Sequence, residues 1–204
     1  MRKTLLVATL LLSFPSLALA GEGTPREVVG RHGIFVGAQF GYHTPDGTFY
    51  GGNLAPGFAL NLHGGYRFGA HFALETGIYE GLSHVKGVGG SQAGIAELLS
   101  VDGRFFLPVG TIEPNALLGY TYAAGATAKA NGVTDTLAGP SWNAGLGFRF
   151  NVDRNFFFDL DWRHMFIRFT KERISGGPLE GTYSLARQYH GDDDAFLLGG
   201  GLQF

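Results

Sequence analysis

The sequence predicts an all-β fold: an eight-stranded antiparallel up-and-down transmembrane β-barrel with short periplasmic turns and long external loops. Three observations predict it. Eight segments alternate apolar residues with small or polar ones, their connections alternate strictly between short and long, and 34 of 204 residues are glycine. Side chains along a strand point to opposite faces with period two. About 9–11 residues suffice for a tilted strand to cross the hydrocarbon layer. Glycine at roughly one residue in six, against ~7% in ordinary proteins, suits a narrow barrel with little interior room. It follows no G-X-Y period, so collagen is excluded.

Before the barrel, Arg2 and Lys3 precede the apolar run Leu5 to Leu12, and Ala18-Leu19-Ala20 follows. A positive start, a short apolar stretch and small residues before the cut form a secretory signal peptide, expected over 1–20. The run is too short for a spanning helix of ~20 residues. Residues 21–32 are expected as a short periplasmic segment and 33–204 as the barrel.

The first segment sets Ile34, Val36, Ala38, Phe40 and Tyr42 against Phe35, Gly37, Gln39 and Gly41. The second sets Leu60, Leu62, Tyr66 and Phe68 against Asn61, His63, Gly65 and Arg67. After Gly69-Ala70-His71, Phe72, Leu74, Thr76 and Ile78 oppose Ala73, Glu75, Gly77 and Tyr79. The fourth, from about Glu97, puts Leu99, Val101, Phe105 and Leu107 against Ser100, Asp102 and Arg104. The fifth puts Ala116, Leu118, Tyr120 and Tyr122 against Asn115, Leu117, Gly119 and Thr121. The sixth puts Trp142, Ala144, Leu146, Phe148 and Phe150 against Asn143, Gly145, Gly147 and Arg149. The seventh sets Phe156, Phe158, Leu160 and Trp162 against Asp159, Asp161 and Arg163, and the eighth runs from Phe196 to Phe204.

Short breaks join the second segment to the third, the fourth to the fifth and the sixth to the seventh. The others are long: 43–57, 81–96, 123–141 and 171–194. This is the pattern of tight periplasmic turns and longer external loops. A soluble barrel would bury its apolar face, whereas here the polar face holds the groups that can pair, and the apolar exterior would aggregate in water. Rings at both ends, Phe68, Phe72, Phe150, Phe156 and Phe204 against Tyr42, Tyr122 and Trp142, fit the two interfacial girdles.

The absence of cysteine excludes a disulfide framework and thiolate zinc sites. Without Arg2 and Lys3 the 15 bases become 13, against 17 acids, so no basic stripe invites nucleic acid. The inward face collects Glu75, Asp102, Asp159 and Asp161 with Arg67, Arg104, Arg149 and Arg163. Buried charges must be paired, and diagonal neighbours across a hairpin reach each other. Arg67 is therefore expected beside Glu75, Arg149 beside Asp159, and all eight in a neutral network that fills the lumen. A narrow gated ion pathway through the same pairs is the alternative.

No catalytic, cofactor or metal site is expected, and no enzyme activity. Ser83 and His84 are adjacent and so point to opposite faces when extended, and the histidines lack a metal-ligand spacing. Asp192-Asp193-Asp194 reads as a solvated rim. The last external connection mixes Lys171, Glu172, Arg173, Arg187 and Tyr189 around Gly176-Gly177-Pro178, and loops on a rigid scaffold commonly carry recognition.

Several stretches then carry a resemblance: Phe35 to Tyr42, Gly64 to Gly77, Glu113 to Tyr120, Trp142 to Phe150 followed by Phe156 to His164, and the closing strand. They resemble small eight-stranded bacterial outer-membrane proteins of the OmpA-barrel and OmpW type. The resemblance implies export to the outer membrane of a Gram-negative-type bacterium and contact with its lipid and lipopolysaccharide. It also implies a C-terminal signal, Leu202 and Phe204, read by the barrel-assembly machinery. The expected protein is a monomer with a structural or surface-recognition role. An OmpW-like transport module for small hydrophobic molecules is the alternative.

Overall fold

The computed structural model describes residues 32–47 and 53–204. The expected signal peptide and most of the N-terminal segment lie outside the described residues. Eight strands follow in chain order: β1 (His32–Gly47), β2 (Gly57–Phe68), β3 (Phe72–Ser83), β4 (Gln92–Phe106), β5 (Ile112–Ala130), β6 (Val133–Asn151), β7 (Phe156–Ser175) and β8 (Gly181–Gln203). Each pairs antiparallel with the next, and β8 returns to β1 to close the barrel. Closure satisfies every ladder within the wall, which the hydrocarbon layer requires because it offers no water to an open edge.

The outward face is apolar along the span. Ile34, Val36, Phe40 and Tyr42 of β1 are each at least half exposed, as are Phe196 and Leu198 of β8. At the end with the short turns, Phe68 stacks on Phe72 at 5.8 Å and Phe72 meets Phe105 at 5.1 Å. At the other end Tyr120 meets Trp142 edge-on at 5.0 Å. These rings mark the two interfaces.

Two of the expected external loops are ladder instead. The 123–141 connection continues β5 and β6 to a two-residue turn at Asn131 and Gly132, with φ of 52° and 79°. Both left-handed values match the right-handed twist of the flanking strands, and Asn-Gly is the pair that adopts them at least cost. Thr127 and Thr136 face each other across this hairpin with hydroxyls 3.3 Å apart. The 171–194 connection likewise carries β7 and β8 outward, pairing as far as Ile174 with Gly181. The wall therefore rises well above the girdle on the β5–β8 side.

A β-bulge corrects the reading of β4. Leu99 has a φ of 58°, and the pairing jumps from Gly77–Ser100 to Ile78–Leu98. The extra residue sends Leu98 and Leu99 both outward and turns Glu97 to the interior, where it is fully buried. Uniform alternation through Leu99 had placed Glu97 outside; an inserted residue reverses the faces beyond it.

Candidate functional site

The lumen is filled, and it is filled in two different ways. Toward the short-turn end lies a polar network. All eight inward charges, Arg67, Glu75, Asp102, Arg104, Arg149, Asp159, Asp161 and Arg163, are buried. Period-two alternation places each of them there, and inward glycines give them room. A Cβ on Gly119 would fall 1.6 Å from Asp102 Oδ1.

Arg149 and Asp159 form a two-pronged pair, with both N–H···O distances 2.8 Å. The guanidinium also lies 3.7 Å from the centre of the Phe157 ring, a desolvated cation–π contact. Arg67 and Glu75 do not meet, although they occupy diagonal positions in the β2–β3 ladder. Arg67 leans toward the turn, donating to the carbonyls of Gly69 and Ala70. Across the barrel it holds Glu113 at 2.8 and 3.1 Å. Glu75 instead receives Nε and Nη2 of Arg104, each at 3.0 Å. A planar fork goes where two acceptors match it, and the turn carbonyls supply that match for Arg67.

Arg104 is the hub. Its Nη1 donates to Asp161 at 3.0 Å and to Asn115 Oδ1 at 2.8 Å. Asp161 then accepts from Gln39, and Gln39 from Asn61, each at 2.7 Å. One floor outward, Arg163 holds Asp102 at 3.1 Å and Glu97 at 3.5 Å. Ser100 and Asn143 also donate to Asp102. A residual cavity of about 10 Å³ lined by Gln39, Asn61, Arg104, Asn115 and Asp161 is room for roughly one water.

The buried charged set is larger than the expected eight. Seven carboxylates are buried inside, Glu97, Glu113 and Asp193 having joined the expected four, against four guanidiniums. Two histidines lie against carboxylates: His63 is 3.7 Å from Asp159, and His43 is 3.0 Å from Asp193. Glu113 was legible, since it shares the face of Asn115 two residues on. His43 shares the face of Gln39 in the same way, but its partner is 150 residues away.

Above the polar floors the lumen becomes an apolar core. Ile95, Leu137, Met165, Ile167, Phe169 and Leu197 are buried together, and Leu54 reaches into them from the connection between β1 and β2. Leu54 is held there by a bridge to Val85 and by the bond from Ala55 N–H to the His84 carbonyl at 2.9 Å. On the outer ladder, burial and then the nearby Glu172 carboxylate push the Asp135 carboxyl above its ordinary range. Its ionisation therefore weakens that hairpin as the pH rises. Among the described residues no group of three or more His, Cys, Asp or Glu side chains is placed to hold a metal ion.

A family model described as outer membrane protein beta-barrel domain matches residues 4–204. No curated protein matches the chain. Among solved structures, Neisserial surface protein A is 12% identical at a TM-score of 0.62, covering 84% of this chain and 97% of that one. OprG from Pseudomonas aeruginosa is 17% identical at 0.56, covering 86% and 98%. Ail of Yersinia pestis, in complex with the heparin analogue sucrose octasulfate, is 17% identical at 0.52, covering 86% and 99%. These structures share the closed barrel, and the family model spans the whole described wall. The chain therefore belongs to the outer-membrane β-barrel proteins, and the outer membrane is where it resides.

Proposed function

We propose that this protein acts from its outer surface and that its barrel is a closed anchor rather than a conduit. The observation that carries this reading is the double closure of the lumen. An ion would have to separate buried guanidinium–carboxylate pairs, each costing several kcal/mol to break. It would then have to pass the packed apolar core above them, where Ile95, Met165, Ile167 and Phe169 are buried together. A hydrophobic solute would meet the same two layers in the opposite order. Purified protein in planar bilayers is expected to show no stable unitary conductance, and steady channel openings would defeat the closed-lumen reading. Restored uptake of small hydrophobic molecules on re-expression in cells lacking the protein would favour the OmpW-like alternative.

Recognition then belongs to the outer ladder, which holds its surface more rigidly than a free loop does. Beyond Phe166 on β7, Arg168, Lys171 and Arg173 are exposed, a spacing that suits the anionic groups of lipopolysaccharide. We infer that the protein works as a monomer in contact with that lipid, delivered through its C-terminal strand. Replacing the three bases by Gln is expected to weaken lipopolysaccharide binding about tenfold while leaving the folded barrel unchanged. Equal binding by the triple variant, measured on immobilised lipopolysaccharide, would remove this surface from consideration.

A further inference from the structure

We propose that Ser83 is an activated nucleophile that takes acyl groups from short-chain esters at the outer mouth of the lumen. Ser83 ends β3, His43 lies on β1 and Asp193 on β8, and the barrel brings the three side chains into one line. His43 Nε2 is 3.0 Å from Ser83 Oγ. On the other side of the ring, Nδ1 lies 3.0 and 3.1 Å from the two oxygens of Asp193. Tyr79 donates its hydroxyl to the same carboxylate at 2.8 Å. His43 and Asp193 are wholly buried, while Ser83 keeps part of its surface open.

The chemistry follows from who can donate. A carboxylate only accepts, so Nδ1 carries the ring hydrogen toward Asp193, and Nε2 is left to accept from the Ser83 hydroxyl. That is the base–orienter arrangement that activates a serine. The Leu82 carbonyl lies 3.3 Å from Nε2, so the imidazolium formed on proton transfer finds an acceptor for each of its N–H groups. The ring is seated by missing side chains. A Cβ on Gly81 would lie 2.6 Å from His43 Cε1, and one on Gly57 would lie 3.3 Å from Nε2. Val85, two residues beyond Ser83, bridges to Leu54 from the β1–β2 connection, and the pair offers an apolar wall for a short acyl chain.

In the step, Ser83 Oγ bonds to the ester carbonyl carbon as its proton passes to His43 Nε2. The carbon–alkoxy bond breaks, and the leaving alcohol takes that proton. Water then repeats the sequence and releases the carboxylic acid. The arrangement was hidden in the sequence because its three residues lie on three strands; the neighbouring His84 plays no part and is exposed.

Full-length folded protein in detergent, treated with a fluorophosphonate, is expected to carry the adduct on Ser83 by mass spectrometry, and to hydrolyse p-nitrophenyl butyrate. Ser83→Ala removes both; it takes one oxygen from a partly open rim residue and so leaves folding intact. Asp193→Asn and His43→Gln, assayed only in their folded fraction, are expected to lower both rates about 10²-fold or more. Absence of the adduct, turnover no faster than that of Ser83→Ala, or unchanged rates in folded His43→Gln would each overturn the assignment and leave a rim hydrogen bond.

Discussion

Arg104→Ala is expected to destabilise the barrel by about 5 kcal/mol, the upper end of the range for removing one partner of a buried ion pair. Arg104 serves two carboxylates and an amide at once, so its loss leaves Glu75 and Asp161 buried together without their shared cation. Glu75 then keeps His63 and the more distant Arg163 as compensating charges, and Asp161 keeps the Gln39 amide. Reversible urea unfolding in lipid vesicles, followed by tryptophan fluorescence, measures the difference. The decisive control neutralises the whole cluster. Arg104→Met with Glu75→Gln and Asp161→Asn is expected to recover most of the lost stability, because uncompensated charge carries the penalty. A single variant as stable as the parent would mean that water already reaches these carboxylates.

Removing Phe204 is expected to lower the amount of protein in the outer membrane at least several-fold while leaving refolding in detergent nearly intact. Its ring is largely exposed to lipid, and its N–H closes the β1–β8 seam on the Ile34 carbonyl at 2.8 Å. The lost contact is one terminal hydrogen bond, worth about 1 kcal/mol, too little to unfold a barrel whose seam continues through thirteen further residue pairs. A large loss in cells beside a small loss in vitro would assign the residue to recognition by the assembly machinery, along with Leu202. Equal losses would make it a packing residue, and normal insertion would end the proposal.

Much of the lumen was legible because alternation is a local property. Arg149 and Asp159 flank a short turn, so their face and their register follow from residues ten apart. Arg67 shows where that logic stops. Its diagonal neighbour was correctly placed, but the fork turned to two turn carbonyls and Glu113, 46 residues on. Glu97 was hidden by the bulge at Leu99, since nothing in Leu98-Leu99-Ser100 announces an inserted residue. The outer hairpins were misread as loops although Asn131-Gly132 is a strong turn signal. The run around Tyr122 to Ala130 is small and weakly patterned, and only its pairing with β6 makes it strand.

The sequence by itself determined the strand count and which face meets lipid, because both rest on period-two patterning and on the thickness of the bilayer. Only the tertiary structure decided which charges pair, that an apolar core sits above them, and that His43, Ser83 and Asp193 meet. Those outcomes depend on barrel closure, which joins β1 to β8 and brings together residues up to 150 positions apart. No local pattern encodes a distance across a lumen.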